Sequence, residues 1–440
     1  MDSTALTDRA GSSRPGRAGP GGDCGRRPRP RSRFAVVGGV AAQLSQALGS
    51  LVLQVIAART LGADGLGAFA VLYGVIIMAT GVCTGFVGDS LTVLDRGSRD
   101  IRAALQSWLL VLSASGAVVA WAIAVLGGLL TAGPALLFAA ATAVFLVEDA
   151  LRRLLMANLR FWRIVAVDLA ALAGSVSTLA VAAASGARIG LGTLMLSLLV
   201  GQSVAVLVAV LLLPRAERWL ARPSAGDWRT VASYGSWRAA QQFLRPGMLT
   251  AMRLLVVGVA GLATVGSLEA ARIYTAPMLL VVSGAGSFLF ASYAASSARD
   301  SRTLLRRADR GVLGLFGATV AMSVVAVAAI GFAGPLLVGD EIALSATAVV
   351  GWCAYAVSVA AVTPYGALAA VRRRQAAVLG LRTADSVLSL AAVAALLLVG
   401  GDPTVVPLLI AGCSLAGGVA IRQLLLVRGR GGRDGQDVLD

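Results

Sequence analysis

About a dozen apolar stretches of roughly 20 residues, each long enough to cross the hydrocarbon core of a bilayer, are separated by short loops, and arginine sits almost wholly in every second loop. The stretches lie near 34–58, 65–88, 105–131, 134–151, 164–185 and 190–213, then near 231–260, 263–294, 312–334, 343–370, 376–399 and 404–427. A chain that is 57% hydrophobic and 14% charged has too little polar surface for a soluble globule of this size. In lipid, each crossing must close its own backbone hydrogen bonds. The fold class is therefore an all-α polytopic membrane protein of about 12 transmembrane helices.

The arginines set the orientation. The sequence contains neither Lys nor His, so all 38 basic residues are Arg. Nearly all fall on one side: in the N-terminal tail, Arg96–Arg102, Arg152–Arg163, Arg215–Arg229, Arg299–Arg310, Arg372–Arg374 and Arg428–Arg433. The other side has only Arg59 and Arg188. Positive-inside asymmetry then puts both termini in the cytoplasm and demands an even number of spans. The net charge of +16 lies mostly at membrane boundaries, where anionic lipids are the nearest partners. No zinc-finger or other nucleic-acid motif appears, so no nucleic-acid partner is expected.

Composition divides the chain. Residues 1–33, rich in Gly, Pro, Ser and Arg, read as a disordered basic cytoplasmic tail, and 428–440 as a second cytoplasmic tail. Between them lie a six-helix bundle over 34–213, a cytoplasmic linker over 214–230 with interfacial Trp and Arg, and a second bundle over 231–427. A shift of 201 positions lays Leu61, Gly65, Ala70 and Tyr73 on Leu262, Gly266, Ala271 and Tyr274. Two pseudo-symmetric bundles around a central cavity follow.

The run Ala58-Arg59-Thr60-Leu61-Gly62-Ala63-Asp64-Gly65-Leu66-Gly67-Ala68-Phe69-Ala70 resembles the first hairpin of polysaccharide transporters, the Wzx-type lipid-linked oligosaccharide flippases of the multidrug/oligosaccharidyl-lipid/polysaccharide (MOP) exporter superfamily. Leu154 to Arg163 is similar to that family's basic segment between spans four and five, and Gly258 to Pro277 to its second-half hairpin. The resemblance covers residues 34–427 through degenerate motifs. It implies a V-shaped, two-bundle transporter in the bacterial cytoplasmic membrane. Such a protein flips an undecaprenyl-pyrophosphate-linked oligosaccharide to the outer leaflet by alternating access, alongside glycan-assembly proteins.

Residues inside the spans supply the candidate site. Arg238, Gln242, Arg245 and Arg253 share one stripe of the seventh span, which would be costly in lipid unless it faces water or an anion. Pro246 within the stripe is the expected hinge. Arg272 in the eighth span is a further cavity candidate, while Arg382 and Arg422 are placed to snorkel to the interface. Gln43, Gln46, Ser50 and Gln54 lie on one face of the first span, either hydrogen-bonding a neighbouring helix or meeting sugar hydroxyls.

Among the acidic residues, Glu269 is the first candidate to couple transport to Na+ or H+, with Asp168 as another. The alternative reading has Glu269, three residues before Arg272, neutralise Arg253 or Arg272, and pairs Glu148 and Asp149 with Arg152 and Arg153 on their own helix, and Asp168 and Asp385 with cytoplasmic basic loops. Cys24, Cys83, Cys353 and Cys413 lack metal-like spacing, and no catalytic or nucleotide-binding motif occurs, so neither enzyme chemistry nor a cofactor is expected. Two other functions fit the same frame: a multidrug or cation antiporter of the related branch, and a membrane-embedded glycan polymerase or scaffold. Short outer loops argue against the polymerase.

Overall fold

The computed structural model describes residues 31–95, 97–218, 227–294, 301–339, 341–371 and 375–427, and among these it contains helices and no strand. Residues 1–30 of the N-terminal tail, 219–226 of the linker, the basic loop at 372–374 and the tail at 428–440 lie outside the described residues. Ten helices are long and apolar enough to cross a membrane, and two of them are double. The helix Arg31–Cys83 breaks at Gly62, at φ 65°. Trp228–Ala294 breaks at Gly261, at φ 84°. These left-handed backbones cost glycine little and most other residues a good deal, so each glycine turns one apolar run into two crossings.

The first break separates α1 (31–61) from α2 (63–83), which continues through a buried π-turn, Thr84–Gly88, into Asp89–Val93. Then follow α3 (Arg99–Leu126), α4 (Ala132–Ala157), α5 (Phe161–Ala184) and α6 (Leu191–Leu212). The second lobe has α7 (228–260), α8 (262–294) and α9 (Ser301–Ala328), then a short helix, Ile330–Val338. It ends with α10 (Ala346–Val371), α11 (Gln375–Leu398) and α12 (Val406–Ala420, extended as a π-helix to Val427). Twelve crossings in two six-helix lobes result, as the apolar pattern predicts.

The two breaks are 199 residues apart, and this is the register in which the lobes correspond, not 201. A Cβ on Gly67 would lie 2.0 Å from the Leu262 carbonyl oxygen, and one on Gly266 would lie 1.8 Å from that of Ala63. Shifting each pair by 199 gives the other, so the contacts are pseudo-twofold mates. The shift of 201 matched residue types but missed the turns that fix the geometry. This crossing closes the end of the molecule opposite the arginine-rich loops. An apolar cluster runs through it from Phe138 of α4 by way of Phe69 and Leu72 to Ala270 and Ile273 of α8. Gly266→Ala is expected to force the hairpins apart and cost about 1–3 kcal/mol, read as a lower thermal unfolding temperature in detergent. An unchanged transition would show that the close approach is not needed.

Helices extend past the expected boundaries at the arginine-rich end. α3 begins at Arg99 and α4 runs on to Ala157, so Arg102 and Arg152, expected in loops, are buried helical residues. Arg102 pairs with Glu217, which also accepts from Asn158 Nδ2 at 3.4 Å, tying the start of the interlobe connection to the first lobe. Trp228, where the second lobe begins, packs on Trp108 with ring centroids 4.6 Å apart.

Candidate functional site

The largest of the three cavities that bear on the site, about 800 Å³, lies in the arginine-rich half of the molecule. Its wall is built by α1, α2, α4 and α5, with contributions from α6, α7 and α8. Gln43, Gln46 and Ser50 of α1 line it, as do Gln242 and Pro246 of α7. The polar face of the first span therefore does look inward. The backbone of α7 stays helical through Pro246, and the non-helical residue of that segment is Gly261. The expected hinge is thus a cavity-wall residue within a continuous helix.

The four candidate arginines, three on α7 and Arg272 on α8, fall into three settings. Arg238 pairs with Asp89 at 2.6 Å and donates to Gln241 Oε1 at 2.6 Å. Arg253 is 7% exposed and its Nη2 lies 2.8 Å from Glu269 Oε1. Arg272 donates through Nε to Glu269 Oε2 at 2.5 Å and through Nη2 to Gln54 Oε1 at 2.6 Å. Gln54 and Tyr73 both donate to the Ser50 hydroxyl, at 2.8 and 3.0 Å. Glu269 is consequently held between two guanidinium groups at the lobe interface, in a chain of polar contacts from α7 through α8 to α1 and α2. That arrangement makes Glu269 a tie between α7 and α8, and neither Arg253 nor Gln54 lines the cavity.

Arg245 differs. It is exposed, and among the described residues it forms no ion pair with a carboxylate. Its Nε donates to the Tyr355 hydroxyl at 3.1 Å and its guanidinium lies 5.6 Å from that ring's centroid. The aromatic face offsets part of the cost of a cation at this depth. Two further cavities, of about 480 and 470 Å³, meet at this side chain.

The register of 199 shows why α1 and α7 both carry polar faces. Gln43, Gln46 and Gln54 correspond to Gln242, Arg245 and Arg253, and Tyr73 corresponds to Arg272. The first helix pair carries neutral side chains, Gln46, Gln54 and Tyr73, where its counterpart carries Arg245, Arg253 and Arg272.

A second charged group lines the largest cavity on the first lobe's side. Arg152, 1% exposed, holds Asp168 Oδ1 at 3.1 Å and donates to the Ala42 carbonyl at 2.7 Å, while Ser45 donates to Asp168 Oδ2 at 2.5 Å. Asp149 accepts from Thr84 at 2.6 Å and lies 3.7 Å from Arg153. Glu148 enters none of these bonds and also lines the cavity. Asp168 is thus paired within the membrane to α4, not to a cytoplasmic loop. Of the two same-helix pairs expected for Glu148 and Asp149, only Asp149 with Arg153 forms. Three carboxyl groups face two guanidinium groups, so this wall carries excess negative charge when all are ionised.

The snorkelling arginines also have defined partners. Arg382 lies 3.6 Å from Asp385 and lines the second cavity. Arg422 pairs with Asp309 at 3.1 Å and lies 5.9 Å from the Tyr365 ring centroid. Sequence reasoning missed Tyr355 and the cavity role of Arg382 and Asp385. The three-residue spacing from Arg382 to Asp385 was a usable signal for one helix face, whereas nothing local marks Tyr355. No group of three or more His, Cys, Asp or Glu suited to a metal ion occurs among the described residues.

No protein-family model matches the sequence, and no curated protein matches it either. Solved structures do match the fold. A multidrug resistance MATE family transporter of the MOP superfamily, in an inward-facing conformation, gives a TM-score of 0.64 at 14% identity over 89% of this chain and 97% of that one. The outward-facing conformation of a multidrug resistance MATE family transporter gives 0.57 at 15% identity, covering 90% of this chain and 94% of that one. A MOP superfamily transporter from Pyrococcus furiosus, described as having a binding pocket of reverse polarity, gives 0.58 at 13% identity over 89% of this chain and 94% of that one. The chain is a multi-pass, all-helical membrane protein with the fold of the MATE transporters of the MOP superfamily.

Proposed function

We propose that this protein is a transporter that moves an undecaprenyl-pyrophosphate-linked oligosaccharide from the cytoplasmic to the outer leaflet of the bacterial plasma membrane by alternating access. The observation that carries the reading is Arg245: an exposed guanidinium deep in the bundle, without a carboxylate partner among the described residues, where two cavities meet. Such a cation is stable in a membrane when water or an anion occupies the space beside it. Gln43, Gln46, Ser50 and Gln242 supply amide and hydroxyl groups for sugar hydroxyls in the adjoining cavity. The same cavity reaches Leu44 of α1 and Leu280, Ser283 and Gly284 of α8. A Cβ on Gly49 or Gly284 would meet nothing within 4 Å, so α1 and α8 leave a gap beside these residues where a lipid tail can remain in the bilayer.

Coupling to Na+ or H+ is assigned to two carboxyl groups that line the central cavity on the first lobe's side, Glu148 and Asp168, the latter paired with Arg152; Glu269 does not line that cavity. Anionic lipids would meet the arginine-rich face, and glycan-assembly proteins would supply and receive the substrate. The test is a leaflet assay of the lipid-linked glycan in a strain lacking the gene, complemented with wild type or with Arg245→Ala. Glycan trapped on the cytoplasmic leaflet with Arg245→Ala, at normal levels of inserted protein, is the expected result. Wild-type export by that variant would remove the central cation from the mechanism.

A second reading has its own support. The carboxyl groups of Glu148, Asp149 and Asp168 on the first lobe's cavity wall suit a cationic drug, which a uniformly cationic cavity would have repelled. Drug-susceptibility tests with and without the gene separate the two readings: increased drug sensitivity on deletion, with glycan export intact, favours the multidrug antiporter.

A further inference from the structure

We propose that the cavity inside the second lobe is a binding site for a sugar carrying a single carboxylate, a hexuronate, lying off the central cavity and entered past Arg245. The chamber of about 480 Å³ is enclosed by α7, α10, α11 and α12, within the roughly 300–1,000 Å³ that small-molecule sites occupy. A smaller space shares Arg245, Val359 and Thr363 with it and shares Ser283 with the central cavity, so the chamber communicates with the transport path.

Its charges select the ligand. Arg238 is matched by Asp89, and Arg382 shares the chamber with Asp385, leaving Arg245 as the one cation in excess. One negative charge neutralises that excess, whereas a phosphomonoester brings nearly two at neutral pH. Arg245 already spends Nε on Tyr355, and Tyr355 is itself fixed edge-on against Trp352, which is 1% exposed. The terminal nitrogens of Arg245 are left to form the paired bonds that a carboxylate accepts.

Hydroxyl recognition comes from the opposite wall. Arg382, Asp385, Ser386 and Ser389 share one face of α11, and Ser414 of α12 stands beside them. Asp385 Oδ1 and Gln241 Nε2 are buried without a hydrogen-bond partner, one an acceptor and the other a donor. Buried polar atoms without partners are costly, and sugar hydroxyls, which both donate and accept, would satisfy each. Neutral sugars fail to compensate Arg245, and small carboxylates without hydroxyls leave Asp385 and Gln241 unsatisfied.

The test uses the full-length chain purified in detergent and titrated calorimetrically with glucuronate, glucose, acetate and inorganic phosphate. Glucuronate is expected to bind saturably, with glucose, acetate and phosphate weaker by about tenfold or more, the scale of one lost charge-assisted hydrogen bond. Arg382→Gln should weaken glucuronate by about tenfold, and Ser389→Val, which narrows the hydroxyl-lined wall, should erase the preference for glucuronate over acetate. The unfolding temperature of each unliganded variant establishes that it is folded. Equal affinity for glucuronate and glucose, or unchanged glucuronate binding in folded Arg382→Gln and Ser389→Val, overturns the assignment. The result is independent of the flippase reading: glucuronate binding with no leaflet transfer would sink that reading and leave the site standing.

Discussion

Glu269→Ala is expected to produce the largest loss of stability of any single carboxylate replacement in this protein, about 3–5 kcal/mol. The residue is 3% exposed, and Arg253 and Arg272 both direct guanidinium nitrogens at it, at 2.8 and 2.5 Å. Removing the carboxylate leaves two cations facing each other in a region shielded from water, which costs more than the pair contributed while intact. The same contacts tie α8 to α7, and through Gln54 to α1, so the damage falls on the interface between the lobes. Glu269→Gln, which keeps one acceptor oxygen without the charge, should lose less. Thermal unfolding in detergent, followed by the fluorescence of the seven tryptophans, reads both variants. A wild-type transition for the Ala variant would mean that the arginines find water or other partners, and the network would no longer explain how the lobes are held.

Asp168→Ala should follow closely, also at about 3–5 kcal/mol. Arg152 has a side chain only 1% exposed and is fixed by Asp168 and by the carbonyl of Ala42, so its charge loses its counterion without gaining solvent. Here the effect is confined to the first lobe, linking α4 and α5 to the start of α1. The two carboxylates share no hydrogen-bond or ion-pair partner, so their costs should add in the double variant within about 0.5 kcal/mol. Stability loss in Asp168→Ala also supplies the control its proposed coupling role requires: a transport defect counts toward coupling only at a temperature where the variant is folded.

The helices were legible because membrane insertion is written locally. Twelve apolar runs and their alternating arginines needed no tertiary information, and even the two helices that pass continuously through their turns were divided correctly at the hairpins near Gly62 and Gly261. Helix ends were less legible. Arg152 looked like a loop residue because the apolar run fades before it, yet the helix continues to Ala157 with Asp168 of the next helix waiting as a partner. Hydropathy reports whether a residue suits lipid, and it is blind to a partner sixteen residues away.

The candidate site divided along the same line. That α7 presents a cationic face and α1 a neutral polar one follows from the spacing of Arg238, Gln242, Arg245 and Arg253, and of Gln43, Gln46, Ser50 and Gln54. Which of those cations is free did not follow. Glu269 reaches Arg253 and Arg272 at once, Asp89 reaches Arg238 across 149 positions, and Arg245 alone is left beside Tyr355. The interior of the second lobe was missed for the same reason, since Tyr355, Arg382 and Ser414 meet only when α10, α11 and α12 pack against α7.

By itself, then, the sequence determined twelve crossings, their alternating direction, the hairpins that divide them and the faces on which polar residues stand. Those properties depend on hydropathy, backbone freedom and helical period, each of which acts within one or two turns of chain. Tertiary structure alone decided the register of 199 between the lobes, which arginines are neutralised, and where the cavities open. These depend on charge pairing and close packing between distant segments, whose energies fall off over a few ångströms and leave no trace in local spacing.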